Sequence, residues 1–345
     1  MTITRGAKVC IASLVALAAA LALTSGIGGR PPAQDGGRAD YAGQRIRFIV
    51  PTEAGGGFDT TLRQLQPYLE EQLGATVMVQ NLPGAATAIG TNAALHADQN
   101  CMTMIFHGVP HLPFSYLTQD VDYGLADLAP VGGVSIEPGV LRVRNDAPWR
   151  NFEELIEDAR RRPGQIRTSV SVRTSNNYVG MLAIEQAFGV DFNIVSYDGG
   201  GPARTALLSG EVDATHAGAF NSLSLDSATR VLTVQQARNR WADITDNAPP
   251  TTGPGNVPVT PNSSNYSIWA PATCRHGYPL RYGAMVEALR AAMRDPEYVA
   301  ALSALGEASK LEYLEPEQLL RVAEASDAEI RGILRRDPTA FTSNP

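Results

Sequence analysis

The sequence predicts an α/β protein built from two domains, and three observations support this fold class. Strand-like and helix-like segments alternate from Gln44 onward, an order typical of mainly parallel sheets flanked by helices. The alternation occurs in two successive sets, with strand-like segments between them at residues 128–134 and 140–143. The part that follows the N-terminal leader has about 300 residues, which is more than one hydrophobic core usually serves.

The first set is predicted from short apolar runs and from leucines at helical spacing. Leu62, Leu65, Leu69 and Leu73 recur on one helix face, and Gly74 is a typical helix end. The predicted strands are residues 45–50, 76–80 and 102–106, and the predicted helices are residues 58–74 and 86–97.

The second set has the same alternating order and is followed by an irregular stretch. The predicted strands are residues 166–171, 193–197, 212–217 and 228–233, and the predicted helices are residues 152–162, 178–188 and 202–208. Residues 241–264 contain too many prolines and glycines for a helix. A strand at 266–270 and helices at 282–293, 296–305 and 316–334 complete the chain.

The N-terminus has the features of a secretory signal peptide. Arg5 and Lys8 give a positive start, and the uncharged run over residues 9–23 is shorter than the ~20 apolar residues of a membrane span. We therefore predict a signal peptide over residues 1–29 and a flexible, Pro- and Gly-rich leader over residues 30–43, with a periplasmic mature protein. An uncleaved N-terminal anchor is the alternative.

The acidic charge of the chain narrows the classes of partner. The net charge is −7, and it becomes −9 once Arg5 and Lys8 are removed with the signal peptide. An acidic surface argues against binding to nucleic acid or to an anionic membrane surface. Any anionic ligand must therefore be held by local groups.

The sequence offers no metal site and no cofactor site. No pair of His or Cys residues has the spacing of zinc ligands. His107 and His111 are four residues apart, but Pro110 and Pro113 are expected to break any helix between them. We expect neither a metal nor a cofactor.

The strongest local motif is a glycine turn between the first strand and the first helix. Glycines at such a junction leave backbone N–H groups uncovered, and the helix start adds a partial positive charge, so the turn can hold a carboxylate. The alternative is a tight turn in which Asp59 only caps the helix. The candidate ligand-binding residues of this turn are Thr52, Ala54, Gly55, Gly56, Gly57, Phe58 and Asp59.

Three further junctions between a strand and a helix carry candidate ligand-binding residues. In open α/β folds the carboxyl ends of the strands line the ligand site, so these junctions are expected to lie beside one another. Simple helix capping is the alternative for the junction at Thr174. The candidates are Arg173, Thr174, Ser175 and Asn176 in one turn, Tyr197, Asp198 and Gly199 in another, Asn81 in the turn over residues 81–90, and His107 on the third strand.

A search for catalytic residues finds no comparable motif. The Gly-x-Ser-x-Gly turn of α/β hydrolases is absent from the sequence, and the carboxylates show no paired spacing. We therefore predict no catalytic residue and no enzymatic activity.

Six segments give the chain a resemblance to the substrate-binding proteins of tripartite tricarboxylate transporters, also called Bug-type receptors. The segments are IRFIVPTEAGGGFDTTLRQL (46–65), LGATVMVQNLPGAATAIG (73–90), DLAPVGGV (127–134), FEELIEDARRRPGQI (152–166), VSYDGGGPARTALLSGEVDA (195–214) and WAP (269–271). The resemblance implies a two-lobed periplasmic binding-protein fold of type II, with a two-strand hinge, that closes on a small carboxylate. It also implies that backbone amides at the glycine turns hold the ligand.

Several residues depart from the pattern of that family. Glu53 stands where proline is usual, Asp198 stands where lysine is common, and the turn that normally reads Gly-x-Gly-Ser is here Val172 to Ser175. Two added acids near an anion site are costly unless they are paired, and a pair between Arg173 and Asp198 would meet that need.

The resemblance also predicts the division into lobes and the partners. Lobe one is expected at residues 44–136 and 265–345, and lobe two at residues 137–264. The expected partners are a small organic acid or amino acid and the subunits of a membrane transporter, and the protein itself is expected to be a monomer. The alternatives are a ligand-sensing co-receptor and an enzyme of the same fold that uses a cleft cysteine.

The mature chain keeps two cysteines, and we predict a disulfide between Cys101 and Cys274. In the fold implied by the resemblance, the strand after the return to lobe one runs antiparallel beside the third strand, which brings the two residues together. An exported compartment allows the bond to form. Two separate buried thiols are the alternative.

Overall fold

The computed structural model describes residues 40–98, 100–257 and 259–342, and within them it follows the predicted α/β order. The predicted signal peptide and residues 30–39 of the predicted leader lie outside the described residues. The strands are β1 (Arg45–Val50), β2 (Thr76–Asn81), β3 (Thr103–Val109), β4 (Leu128–Arg144), β5 (Arg167–Val170), β6 (Asn193–Ser196), β7 (Ala214–Gly218), β8 (Thr229–Val234) and β9 (Ser263–Pro271).

The helices lie between these strands and after the last one. They are α1 (Gly57–Leu73), α2 (Ala88–Leu95), α3 (His111–Leu117), α4 (Phe152–Arg161), α5 (Asn176–Phe188), α6 (Gly200–Ser209), α7 (Ala272–Gly277), α8 (Pro279–Ala292), α9 (Pro296–Ala304) and α10 (Pro316–Arg336). None of the helices in the described part of the chain has both the length and the apolar character needed to cross a membrane.

The strands form one continuous order, β2-β1-β3-β9-β4-β7-β5-β6, with β8 paired to β4. Strand β1 is parallel to β2 and β3, and β5 is parallel to β6 and β7. Strand β9 is antiparallel to both β3 and β4, and β4 is antiparallel to β7 and β8. Each predicted set therefore contains parallel strands, and antiparallel strands join the two sets.

Strand β4 differs from the prediction of two separate strands, because it is one strand of 17 residues. It pairs with β9 as far as Pro138, which lies opposite Ser263, and from Gly139 onward it pairs with β7. Pro138 and Gly139, which lie between the two predicted strands, are therefore found where the strand changes partner, and a continuous strand tolerates them there. The change lies close to the predicted crossing at Ile136, although the exact bounds of the lobes stay a prediction.

No helix of the described chain spans His107 and His111, as expected, although Pro113 does not prevent a helix that begins at His111. Helix α3 begins directly after Pro110, and Pro113 lies in its first turn. The first turn of a helix has N–H groups without intrahelical partners, so a proline there removes no hydrogen bond. His107 remains on β3, outside this helix.

Two large hydrophobic clusters stabilise the two halves of the sheet. One contains Phe48, Leu65 and Ile268 together with residues of α8 and α9. The other is formed by residues of α4, β5 and α5, such as Leu155 and Met181. The end of the chain belongs to this second cluster, since Ile330 of α10 and Phe341 pack in it.

The structure contains the predicted disulfide between Cys101 and Cys274, with the Cα atoms 5.0 Å apart. Cys101 lies just before β3 and Cys274 lies just after β9, and the two strands are antiparallel neighbours. The pairing of β3 with β9 therefore brings the two cysteines together. Neither cysteine of the described chain has a free thiol.

Removal of this disulfide should destabilise the protein. We expect the double variant Cys101→Ala/Cys274→Ala to lose between about 2 and 4 kcal/mol in the free energy of unfolding, because the bridge restricts the unfolded chain. Urea unfolding of the variant and of the wild type, each with and without reducing agent, measures the loss. Reduction should affect only the wild type, and two alkylated cysteines in the unreduced wild type would contradict the bridge.

Candidate functional site

The glycine turn after β1 has a closed internal hydrogen-bond pattern. The Gly55 N–H donates to Asp59 Oδ2 at 2.8 Å, and the Gly56 N–H donates to the Glu53 carbonyl at 3.4 Å. Gly55 has a φ of +76°, in the left-handed region that favours glycine. The N–H groups of Gly57 and Phe58 donate to no residue of the described chain. These two donors at the start of α1 are therefore the ones available to an anion.

Asp59 is a buried structural residue of this turn. Its carboxylate accepts hydrogen bonds from the Gly55 N–H and, at 2.9 Å, from Arg63 Nε. Burial acts to raise the pKa of Asp59, but the hydrogen bonds from Arg63, Gly55 and Asn81 together hold that pKa below its usual value. Asp59 is thus an anion that fixes the turn from inside α1, whose N-cap is Gly56.

The turn at residues 81–90 donates hydrogen bonds to the end of β1 and to the start of the glycine turn. Asn81 Nδ2 donates to the Thr52 carbonyl at 3.1 Å, and the Leu82 N–H donates to the Val50 carbonyl at 2.9 Å. The hydroxyl of Thr52 is buried and has no hydrogen-bond partner in the described chain. Of the candidates in this half, Thr52 therefore carries an unused polar atom, whereas Asn81 is engaged with the backbone.

His107 and Phe58 are buried and pack against other residues of the protein interior. His107 is fully buried, with Nε2 3.0 Å from the Thr87 hydroxyl and Nδ1 accepting from the Gly108 N–H at 2.7 Å. Burial and then the neighbouring His111 lower the pKa of His107 to about 3, so the ring is neutral. The ring of Phe58 lies 4.3 Å from the ring of Tyr266, centroid to centroid.

The two candidate turns of the second half are direct neighbours. The Ser171 carbonyl accepts from the Tyr197 N–H at 3.1 Å and from the Gly199 N–H at 3.2 Å. Asn177 Nδ2 donates to the Ser171 hydroxyl at 3.3 Å, while Asn177 Oδ1 is buried without a partner. The structure thus brings these two turns together, as the prediction required.

Several candidate side chains of these two turns have local partners. Ser175 is the N-cap of α5, where its hydroxyl accepts from the Tyr178 N–H at 3.4 Å. Arg173 Nη1 donates to the Tyr178 hydroxyl at 2.8 Å, and its guanidinium lies over the Tyr178 ring. The suggested ion pair between Arg173 and Asp198 does not form in the described chain, and Asp198 is exposed to solvent. Thr174 is partly buried.

Tyr197 and Asn176 have partners in different parts of the protein. The Tyr197 hydroxyl donates to Glu211 Oε1 at 2.8 Å. Asn176 exchanges hydrogen bonds with Asn262 and lines a separate cavity of about 250 Å³, which also includes Pro110 and Ser326. Neither side chain shares a contact with the glycine turn in the described structure.

The two halves meet at Gly57, through residues that the sequence did not suggest. A Cβ added to Gly57 would lie 2.6 Å from the Tyr266 hydroxyl and 2.9 Å from Asn221 Oδ1, so this position has no room for a side chain. Asn221 Nδ2 donates to the Tyr266 hydroxyl at 3.1 Å. Asn221 belongs to the turn Phe220–Leu225 after β7, and Tyr266 to β9.

Glu137 lies buried directly behind this meeting point. Its Oε1 accepts from the Asn221 N–H at 3.1 Å, and its side chain packs against Gly218. Burial raises the pKa of Glu137 to about 7, against the opposing effects of the Asn221 N–H and the ammonium of Lys310. Sequence reasoning missed Glu137, Asn221 and Tyr266 because their proximity depends on the register of β4, β7 and β9.

Two halves of parallel strands, joined through antiparallel β4 and β9 and touching again at a glycine turn, define a two-lobed periplasmic binding protein. Solved structures share this fold. A protein of R. palustris solved with adipate has a TM-score of 0.72 at 22% identity and covers 85% of this chain and 96% of its own. MatC of Rhodopseudomonas palustris with bound malate has a TM-score of 0.68 at 19% identity and covers 84% of this chain and 99% of its own.

The chain belongs to the family described as "Tripartite tricarboxylate transporter family receptor", whose model matches residues 61–327. The protein of the TAR-I ttuE-ttuC' intergenic region of Agrobacterium vitis is 25% identical over 272 residues, which are 77% of this chain and 76% of that protein. BugT of Bordetella pertussis is 30% identical over 177 residues, which are 50% of this chain and 54% of BugT. The predicted family and fold are confirmed.

The buried carboxyl of Glu137 should make stability depend on pH. Its pKa is about 7 in the folded protein against 4.5 ordinarily, so its contribution to stability is present below pH 4.5 and is lost as the pH rises through 7. Glu137→Gln removes this titration. We therefore expect the stability of the variant relative to the wild type to increase by up to about 3 kcal/mol between pH 5 and pH 8.

Urea unfolding at several pH values measures this difference for Glu137→Gln. The control is Glu324→Gln, which removes a negative charge from an exposed position. The control should show little change with pH. A constant difference between Glu137→Gln and the wild type across the range would contradict a raised pKa at Glu137.

Proposed function

We propose that this protein is an exported solute receptor that captures a small organic acid or amino acid between its two halves and delivers it to a membrane transporter. The observation that carries the proposal is the meeting of the glycine turn with Asn221 and Tyr266 at Gly57. A ligand held there would contact both halves and would thus favour the closed arrangement.

The chemistry of the glycine turn favours a carboxylate. The Gly57 and Phe58 N–H groups have no partner in the described chain and lie at the start of a helix of 17 residues. Such groups stabilise an anion through hydrogen bonds and through the helix dipole. The buried hydroxyl of Thr52 adds an unused polar atom to the same turn.

The proposed ligand class agrees with the two structures of similar fold that contain adipate or malate, both of which are dicarboxylates. The family is one of transporter receptors, which supports delivery to a transporter in the periplasm. We propose lobe one at residues 44–136 and 265–345 and lobe two at residues 137–264, with the end of the chain from Ile330 onward packed on lobe two. Side chains with internal partners, such as His107 and Ser175, shape the site and are not proposed as direct contacts.

A ligand screen tests this proposal directly. The mature chain is screened by thermal shift against monocarboxylates, dicarboxylates, tricarboxylates, aromatic acids and amino acids, and positive compounds are measured by calorimetry. We expect at least one of them to bind, since a ligand at 100 times its dissociation constant stabilises a protein by about 2.7 kcal/mol. If no compound of the panel stabilises the protein at millimolar concentration, the proposed function is wrong.

Gly57→Ala should weaken ligand binding because its methyl group would clash with Tyr266 and Asn221. We expect the affinity for the best ligand of the screen to fall by about tenfold or more, which corresponds to about 1.4 kcal/mol. Calorimetry measures the change, and circular dichroism verifies the fold.

The matched control for this substitution is Gly56→Ala, one residue earlier in the same turn. Gly56 has a φ of −75°, which alanine adopts readily, and its added Cβ would meet only the Glu53 carbonyl, at 3.2 Å. Its effect on affinity should be several times smaller. Equal affinities for Gly57→Ala and the wild type would mean that closure at Gly57 does not contribute to binding.

A further inference from the structure

Arg204 is a partly buried cation beside a candidate turn. It lies in α6, and its guanidinium folds back toward the start of that helix, where a Cβ added to Gly200 would lie 2.9 Å from Nη1. The side chain makes no hydrogen bond and no ion pair within the described residues, 40–98, 100–257 and 259–342. A guanidinium has five N–H donors, so this one retains its binding capacity.

The surroundings of Arg204 connect it to the meeting point of the two halves. Burial lowers the pKa of Arg204, and Glu137 and Tyr266 oppose this effect electrostatically. Conversely, burial and Glu137 raise the pKa of Tyr266, while Asn221 and Arg204 act to lower it. The packing agrees with this, because Leu207 of α6 shares a hydrophobic cluster with Leu225 of the turn Phe220–Leu225. Asn221 of that turn donates to the Tyr266 hydroxyl, which lies against Gly57.

Two other arginines of the same half donate hydrogen bonds to identified protein acceptors. Arg144 donates to the carbonyls of Leu207 and Val212 at the far end of α6 and pairs with Asp146. Arg173 donates to the Tyr178 hydroxyl. Arg204 differs from these two because its partly buried guanidinium has no hydrogen-bond acceptor among the residues that the structure describes.

A partly buried guanidinium with no hydrogen bond to the described protein retains its donors for an anionic ligand. Planar guanidinium groups bind carboxylates through two parallel hydrogen bonds, and these are stronger than hydrogen bonds between neutral groups. The net charge of the chain is −7, so the overall field repels anions and local cations must attract them. Lys310, the other cation that acts on Glu137, already donates to Gln64 and Glu307.

We propose that Arg204 binds a carboxylate of the solute from the second half, while the free N–H groups of Gly57 and Phe58 bind a second one from the first half. This inference rests on the proposed function and goes beyond it, because it assigns selectivity to one side chain. The site would then prefer ligands with two anionic groups to ligands of the same length with one.

Substitution of Arg204 should change selectivity as well as affinity. The probes are the tightest dicarboxylate of the screen and the monocarboxylate of the same chain length, both measured by calorimetry. We expect Arg204→Met to weaken dicarboxylate binding by about 10- to 100-fold, the range for a hydrogen-bonded charged group. Binding of the monocarboxylate should change several times less, and Arg204→Lys should give an intermediate loss for the dicarboxylate.

The matched control is Arg144→Met, which removes the same charge at the other end of α6. It should leave the affinity for the dicarboxylate within about twofold, because Arg144 lies at the far end of a ten-residue helix and physiological salt screens charges over such a separation. As a measurement that requires no variant, modification of Arg204 by phenylglyoxal is followed by mass spectrometry in the wild type. The bound dicarboxylate should protect Arg204, and the extent of modification at Arg144 should not change.

The possible outcomes separate this inference from the proposed function. Wild-type binding of a dicarboxylate that neither depends on Arg204 nor protects it would overturn the inference and leave the receptor function intact. A wild type that binds only monocarboxylates or neutral amino acids would have the same consequence. If no compound of the panel binds, both proposals are overturned. If Arg204→Met does not fold, Arg204→Lys and the protection experiment decide.

Discussion

Strand β9 pairs with β3 on one side and with β4 on the other, and the rest of the structure depends on this double pairing. The chain reaches β9 only after the whole second set, yet Ile105 and Pro130 lie on either side of Trp269. This pairing joins sequence-distant halves into one sheet order and aligns Cys101 with Cys274. It also brings Tyr266 to the glycine turn, so the candidate site exists only when β9 is in register.

Two buried acids lie close to a site that is proposed to bind an anion, so their negative charges must be compensated by neighbouring groups. Asp59 and Glu137 are both buried near the glycine turn or its contacts, and both are acids. Asp59 is compensated by Arg63 and by the Gly55 N–H, whereas Glu137 receives the Asn221 N–H and has a raised pKa. Carboxylates with such partners do not prevent the binding of an anion, because their charge is neutralised locally.

The local elements of the fold could be predicted from the sequence, because periodic leucines and glycine turns act over a few residues. Strand β1 has the predicted bounds, and α1 ends at the predicted Gly74. The continuity of β4 and the presence of α3 could not be predicted, because Pro138 and Pro113 are tolerated only in the positions that the tertiary structure gives them. The disulfide was predictable once the family resemblance implied the neighbours of the returning strand.

Of the candidate site, only the positions of the backbone turns could be predicted from the sequence. The turns at Thr52, Ser171 and Tyr197 occur at strand ends, which sequence patterns reveal. The contacts between side chains depend on strand register and on packing, so the sequence did not suggest Asn221, Tyr266 or the buried Glu137.

Arg173 and Asp198, which lie where the chain departs from the family pattern, do not form an ion pair with each other in the described structure. Arg173 is held by the ring and hydroxyl of Tyr178 five residues later, so it is not available to neutralise Asp198. Asp198 remains exposed, where water screens its charge and no buried partner is needed. The cation proposed for the site is instead Arg204, which lies in the helix that follows the turn. The turn itself contributes the exposed acid Asp198, so in this proposal the helix after the turn supplies the positive charge that the turn does not.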